Sequence, residues 1–146
     1  MLQITAQEAL TCTEYIDHEG KCGNQGERRN ASHKKRQYPV RYIEHMKGGQ
    51  GRFEIEDILQ TDEMHEKGRL FAIGTLEPGH SVGYHVHEED MEICFFLEGE
   101  GIVQEQDGTE IKVGPGDTNI VDVGQGHMII NTGKTSLKYL AVIIYA

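Results

Sequence analysis

Short runs of alternating apolar and polar residues dominate the chain from Tyr38 to its end. Alternation with a period of two is typical of strands that bury one face, and glycine-rich turns such as Asp107-Gly108 separate the runs. The pattern predicts strands near Val40–Ile43, Phe53–Leu59, Arg69–Glu77, Gly83–His87, Glu92–Leu97, Gly101–Gln106, Glu110–Val113, Thr118–Val121, His127–Asn131 and Ser136–Tyr145. Because no long amphipathic helix accompanies them, the sequence predicts an all-β fold, either a closed barrel or a double sheet.

Two of the predicted strands are apolar on both faces, namely Ile93–Leu97 (ICFFL) and Leu140–Tyr145 (LAVIIY). An antiparallel strand with one face in water should instead alternate between apolar and polar residues. The outer faces of these strands therefore need a cover, which either the N-terminal residues or a second copy of the chain would supply. We favour a symmetric homodimer. In one arrangement of this dimer, the N-terminal strands would cross between the subunits.

The first 52 residues differ from the rest in charge and composition. They contain nine Lys and Arg against six Asp and Glu, whereas residues 53–146 contain five against eighteen. The sequence therefore predicts a basic, polar N-terminal extension over residues 1–52, packed on the barrel or on a dimer partner, and a β-barrel domain over residues 53–146. Within the extension, residues 1–11 offer at most a short helix, and residues 12–37 have the composition of a loop.

Two features of this extension have an alternative interpretation. It contains four candidate zinc ligands, Cys12, His18, Cys22 and His33. Their spacing lacks the paired cysteine half-site of structural zinc, so solvated residues are favoured. The basic run His33–Arg36 could contact phosphate, but a net charge of −10 over the chain argues against binding a polyanion. We therefore expect no nucleic-acid partner.

The sequence also bears on the compartment. No apolar run approaches the length of about 18 residues that a membrane helix needs. The first residues, MLQITAQEALTCTEY, lack the basic and apolar regions of a signal peptide. Three cysteines, Cys12, Cys22 and Cys94, indicate reduced thiols because their number is odd. We expect a cytoplasmic protein without membrane association.

The candidate chemistry lies in the stretch Gly79–Gly99, which reads GHSVGYHVHEEDMEICFFLEG. His85 and His87 are one residue apart and would share one face of a strand. The EEDM tetrapeptide would form a turn that brings Glu92 back to them, and His127 would join from a non-adjacent strand. Imidazole and carboxylate are ligands of divalent transition metals. The pattern predicts one metal ion bound by His85, His87, Glu92 and His127.

Both glycine-rich segments resemble the two motifs of the cupin superfamily. The first has Gly79, His85-x-His87, Glu92 and Gly99 in register, and the second has Gly116, Gly124, His127 and Asn131. One difference is Asp122, which stands where cupins usually carry a proline. The resemblance covers residues 69–145 and implies a double-stranded β-helix jelly roll. It also implies the same four metal ligands, with Mn, Fe, Ni, Co, Cu or Zn as the divalent metal.

Three imidazoles and one carboxylate leave coordination positions open for water or a small organic ligand, as in a catalytic site. No separate acid–base pair or nucleophile stands out, so catalytic residues beyond the metal ligands are not assigned. We favour a metal-dependent enzyme, with an oxygenase or other oxidoreductase ahead of an isomerase or decarboxylase of a sugar or organic acid. The alternative is a metal-bound module that binds or senses a small molecule without turnover.

Strand parity predicts further side chains near the metal. Cys94 and Phe96 share a face with Glu92, and Ile129 and Asn131 share a face with His127. Phe96 and Ile129 indicate a partly apolar pocket. Cys94 is interpreted as core filler in preference to a redox or ligand residue, and Asn131 as a residue that orients a turn.

Overall fold

The computed structural model describes residues 38–146, together with the backbone of two short strands near the N-terminus. In chain order the strands are β1 (Tyr15–Ile16), β2 (Cys22–Gly23), β3 (Val40–Glu44), β4 (Arg52–Leu59), β5 (Gly68–Leu76), β6 (Ser81–Val86), β7 (Asp90–Glu98), β8 (Gly101–Glu105), β9 (Glu110–Val113), β10 (Thr118–Val121), β11 (Gly126–Ile130) and β12 (Leu137–Tyr145). Two short 3-10 helices, Met46–Gly48 and Thr61–Met64, flank β4. The described residues contain no α-helix.

Two antiparallel sheets form the body of the protein. The larger sheet has six strands in the order β10-β7-β12-β5-β4-β3, and the smaller has four in the order β6-β11-β8-β9. β1 and β2 pair separately with each other. Residues 37–146 form one compact unit. The fold is the all-β double-stranded β-helix jelly roll that the sequence predicts.

The core lies between the two sheets, where most strands bury one face. The larger sheet contributes Phe96, Tyr139 and Ala72, and the smaller contributes Val103 and Ile129. Phe53 stacks on the Tyr139 ring with centroids 5.9 Å apart. This alternation of buried and exposed positions explains why a period of two in the sequence located the strands.

Strand positions agree closely with the sequence analysis. The predicted bounds of Glu110–Val113 and Thr118–Val121 match β9 and β10, and the polar connection after Leu59 contains the 3-10 helix Thr61–Met64. Four motif glycines, Gly79, Gly99, Gly116 and Gly124, have φ between 79° and 93°. Residues with a Cβ rarely adopt that conformation, which explains glycine at each of these turns.

The connection between β6 and β7 differs from the prediction in two respects. The turn was predicted over residues 88–91, but β7 already begins at Asp90. The strand was also expected to return beside the histidines, whereas β7 belongs to the larger sheet and β6 to the smaller. The chain therefore crosses from one sheet to the other between His87 and Asp90, so Glu92 faces the histidines across the sandwich.

Several predictions fall on residues that the structure does not describe. These are the short helix over residues 1–11, the roles of Cys12 and Cys22, the zinc set with His18 and His33, and the basic run. The division into residues 1–52 and 53–146 stays a prediction, although β3 pairs with β4 in the larger sheet. Among the described residues, no helix has the length and apolarity needed to cross a bilayer.

Candidate metal centre

The four predicted ligands converge at one end of the sandwich. His85 in β6 and His127 in β11 are direct partners in the antiparallel pairing of the smaller sheet. His87 follows the last residue of β6, and its backbone N–H donates to the carbonyl of Gln125 at 2.9 Å. β11 thus adjoins β6, which corrects the expectation of a non-adjacent strand. Glu92 approaches from β7 of the opposite sheet.

The distances between these side chains are short. Oε2 of Glu92 lies 2.9 Å from Nε2 of His127, 3.2 Å from Nε2 of His87 and 3.9 Å from Nε2 of His85. The four ligand atoms all lie within 4.8 Å of one another. Three of the four residues are buried, and His85 is half-buried. The sequence prediction that these residues meet in space is confirmed.

Each histidine uses its other ring nitrogen to contact a hydrogen-bond acceptor. Nδ1 of His85 lies 3.0 Å from the carbonyl oxygen of Gly83, and Nδ1 of His127 lies 2.8 Å from Oδ1 of Asn119. Nδ1 of His87 lies 2.6 Å from Oδ1 of Asp90. Because carbonyl and carboxylate oxygens only accept, each Nδ1 carries the proton, and a neutral ring has its lone pair on Nε2.

This arrangement is well suited to a cation. Three Nε2 lone pairs and the Glu92 carboxylate face one another, so neutral histidines would leave four acceptors with no donor between them. Nε2 of His87 is moreover buried without a hydrogen-bond partner. Metal–ligand bonds of about 2.0–2.2 Å would bring such atoms together with little movement. The described residues therefore fit one metal ion.

Proton affinities at the centre reflect the same contacts. Burial raises the pKa of Glu92, but hydrogen bonds from the imidazoles once they are protonated, His127 first, outweigh burial and hold that pKa well below its usual range. The Glu92 carboxylate raises the pKa of His87 above its ordinary value, against the opposing effect of burial. Burial lowers the pKa of His127, and Glu92 offsets this only in part. Glu92 is therefore ionised at neutral pH.

A cavity of about 400 Å³ opens beside the centre. Its walls come from the turn after β8, from β10 and from the start of β11, and they include Glu105, Asp107, Asn119, Gln125 and His127. None of the described residues that line this cavity is a lysine or an arginine. An anionic ligand there would depend on a bound metal for its counter-charge.

The residues predicted from strand parity to surround the metal have mixed outcomes. Phe96 and Ile129 are buried in the core and do not line this cavity, whose apolar lining comes from Ile120 and Val121 instead. Cys94 is fully buried in the same core, as predicted. Asn131 donates to the carbonyls of Leu76 and Thr135 and accepts from Gly133. It therefore holds a turn, as predicted.

Sequence reasoning missed the residues that hold the histidines. Asp90 lies within the tetrapeptide that was interpreted as a turn, and its spacing of three from His87 was the one available signal. Asn119 lies in a different strand, eight residues before His127, and no local pattern marks it. Both contacts depend on how strands meet in three dimensions.

Comparison with known proteins identifies the family. Residues 72–143 match the family model described as "Cupin domain". The chain is also 45% identical over 102 residues to the "Oxalate-binding protein" of Thermotoga maritima, covering 70% of this chain and 84% of that protein. The chain belongs to the cupin superfamily. The resemblance stated from the two glycine-rich motifs is thereby confirmed.

Solved structures similar to this cupin include two with described activities. A Thermotoga maritima structure described as a predicted oxalate decarboxylase has a TM-score of 0.72 and 42% identity, covering 75% of this chain and 94% of that one. A cupin-superfamily sugar phosphate isomerase from Silicibacter pomeroyi has a TM-score of 0.55 and 23% identity, covering 64% and 60%. The second likeness shows the fold alone, since one fold supports unrelated reactions.

Proposed function

We propose that this cupin binds one divalent transition metal through His85, His87, Glu92 and His127. The observation that carries the proposal is the meeting of three imidazole lone pairs with a buried carboxylate. One metal cation would satisfy all four acceptors at once. Mn, Fe, Ni, Co, Cu and Zn all accept such ligands, and a metal would supply positive charge for an anionic ligand.

The ligand that we propose is oxalate or a similarly small dicarboxylate, bound without turnover. Two observations support it. The relative at 45% identity is an oxalate-binding protein, and none of the described residues lining the cavity beside His127 is cationic, so a metal at the adjoining centre would supply the counter-charge for a dicarboxylate. The oxalate-binding relative favours a binding module over the oxygenase that the sequence analysis put first.

Decarboxylation of oxalate is the second candidate, supported by the solved relative described as a predicted oxalate decarboxylase. That reaction needs a proton donor at the carbon that loses carbon dioxide. The acidic side chains of the cavity lining, Glu105 and Asp107, are both exposed to solvent. Backbone and side-chain hydrogen bonds from Thr109 also lower the pKa of Asp107, which keeps it ionised. The cavity therefore favours binding over turnover.

We expect oxalate to bind saturably to the metal-loaded protein and not to bind to the metal-free protein. The physical reason is that the metal provides the positive charge of the cavity. Isothermal titration calorimetry on protein freed of excess metal by gel filtration measures this, with elemental analysis afterwards to detect metal stripped by oxalate. Acetate and succinate serve as controls for charge and length.

Equal binding of oxalate by metal-loaded and metal-free protein would contradict this ligand assignment. Carbon-13 NMR of labelled oxalate separates the two candidates. An unchanged oxalate signal supports the binding module, whereas formate that accumulates only with metal-loaded protein supports the decarboxylase.

Acidification from pH 8 to pH 5 is expected to release the metal. Protons compete with the metal for the Nε2 lone pairs, so affinity falls as the pH falls. His87, whose pKa the Glu92 carboxylate raises, takes up a proton at a higher pH than His127, whose pKa burial lowers. Metal content after dialysis at stepped pH measures the release. Full retention at pH 4 would contradict a ligand set based on histidine.

We also propose that the protein is a homodimer joined through the outer face of the larger sheet. The apolar residues that point away from the core there are Phe71, Ile73, Ile93, Phe95, Leu97, Ile120, Leu140, Val142 and Ile144. Three of them are exposed in the single chain, Phe95 at 40%, Leu97 at 39% and Ile120 at 59%. A contiguous apolar face of this kind marks an interaction site, and a second copy offers the complementary surface.

A further inference from the structure

Asp90 is a buried carboxylate that lies outside the proposed ligand set. It is the first residue of β7 and is only 6% exposed. Burial of a charge is costly unless the charge is paired and hydrogen-bonded. Both of its oxygens are accounted for: Oδ1 accepts from Nδ1 of His87 at 2.6 Å and Oδ2 accepts from Nε of Arg69 at 2.5 Å.

These three residues connect distant parts of the fold. Arg69 lies in β5 and Asp90 in β7, and β12 separates those strands in the larger sheet. His87 follows β6 of the smaller sheet. The Asp90 carboxylate, paired with Arg69 and hydrogen-bonded to His87, therefore ties both sheets together beside the centre.

The hydrogen bond that His87 makes through Nδ1 differs in kind from the Nδ1 hydrogen bonds of the other two histidines. His85 donates to a backbone carbonyl and His127 to a side-chain amide, both neutral acceptors. His87 donates to a carboxylate at the shortest of the three distances. Hydrogen bonds to charged acceptors are stronger than neutral ones, and they fix the tautomer more firmly. Nε2 of His87, buried without a hydrogen-bond partner, then points its lone pair to the centre.

We propose that Asp90, held in place by Arg69, is a positioning residue that fixes the ring and tautomer of His87 and so strengthens metal binding. The inference rests on the metal site proposed above. Its physical basis is that a carboxylate behind a ligating imidazole makes the metal-facing nitrogen a better donor. Arg69 fixes where that carboxylate lies.

Asp90→Asn tests this role by removing the charge while keeping the shape. We expect its affinity for zinc, measured by competition with a chromophoric chelator, to fall about 10–100-fold. Arg69→Gln should weaken zinc binding in the same direction but less, because Asp90 keeps its contact to His87. Arg69 has an exposed side chain, so this variant remains informative if Asp90→Asn does not fold.

The chain offers a matched control in a second arginine–aspartate pair. Nε of Arg41 donates to Oδ2 of Asp57 at 2.7 Å, between β3 and β4. Asp57→Asn removes a comparable ion pair away from the centre, so zinc affinity should equal that of wild type. Nitrogen-15 NMR of the histidine rings in metal-free protein adds a direct readout. We expect a single Nδ1-protonated tautomer for His87 in wild type and a mixture in Asp90→Asn.

Three results would overturn the proposal in distinguishable ways. Zinc bound equally tightly by wild type, Asp90→Asn and Arg69→Gln would refute the positioning role alone. An equal loss of affinity in Asp57→Asn would show that the effect is general destabilisation. A wild-type chain that binds no zinc and no other divalent transition metal would refute the metal site as well.

Discussion

Glu92→Gln is expected to reduce metal affinity more than about 100-fold, beyond the effect usual for a residue that only contacts a ligand. The substitution keeps the size of the side chain and removes its charge. Glu92 is the only negative ligand of the proposed set, and it lies within 3.9 Å of all three Nε2 atoms. Elemental analysis after chelation and competition titration measure the loss.

The same substitution should not destabilise the metal-free protein. At pH 8 the Glu92 carboxylate faces three lone pairs, whereas a glutamine amide can donate a hydrogen bond to one of them. Metal-free Glu92→Gln is therefore expected to unfold at a temperature at least as high as that of metal-free wild type. Metal should raise the melting temperature of wild type only, since a ligand that binds the native state stabilises it.

Glu98→Gln provides the matched control. Glu98 lies in the same strand and forms an exposed ion pair with Lys138 at 3.3 Å. Its replacement should leave metal affinity unchanged, because exposed pairs contribute little and Glu98 is not part of the cluster. Wild-type metal stoichiometry and affinity in Glu92→Gln would refute the ligand set.

Phe95→Glu is expected to convert the proposed dimer to monomer, weakening association at least about 100-fold, as loss of a large buried interface residue does. Phe95 pairs with Leu140 of β12, and Leu140 pairs in turn with Ile73 of β5, so the three form a row across the outer face. A carboxylate in that row would have to be buried without a partner when two copies meet. Light scattering coupled to size-exclusion chromatography gives the mass.

Ile111→Glu controls for the introduction of a charge at an exposed apolar position. Ile111 is 42% exposed, close to the 40% of Phe95, but it lies in β9 of the smaller sheet. The mass should stay that of a dimer. A monomeric wild-type protein at micromolar concentration would contradict the dimer, and dissociation of both variants would contradict the proposed interface.

The sequence was sufficient for features that depend on local spacing. Strand positions follow from the period of two, and His85-x-His87 with Glu92 and His127 identified the cluster. The side on which Glu92 arrives was not predictable, because strand pairing joins residues far apart in the chain. Asp90 and Asn119 were missed for the same reason, since each becomes an acceptor for a histidine only when the strands have come together.

The outer face of the larger sheet was predictable from the sequence only in part. ICFFL and LAVIIY indicated that something must cover them, and their alternate residues do point away from the core. Composition could not say what covers them, because an apolar surface specifies no partner by itself.

The division of the ligands between the sheets has a consequence for motion. The histidines belong to the smaller sheet and Glu92 to the larger, so a bound ion would bridge the two layers at one end of the sandwich. Transient separation of the layers would then require an ion–ligand bond to break, which raises the free energy of local opening at that end. Metal occupancy would thus set how often the two layers separate at that end. The frequency of that local opening would in turn affect how readily the adjoining cavity admits a ligand.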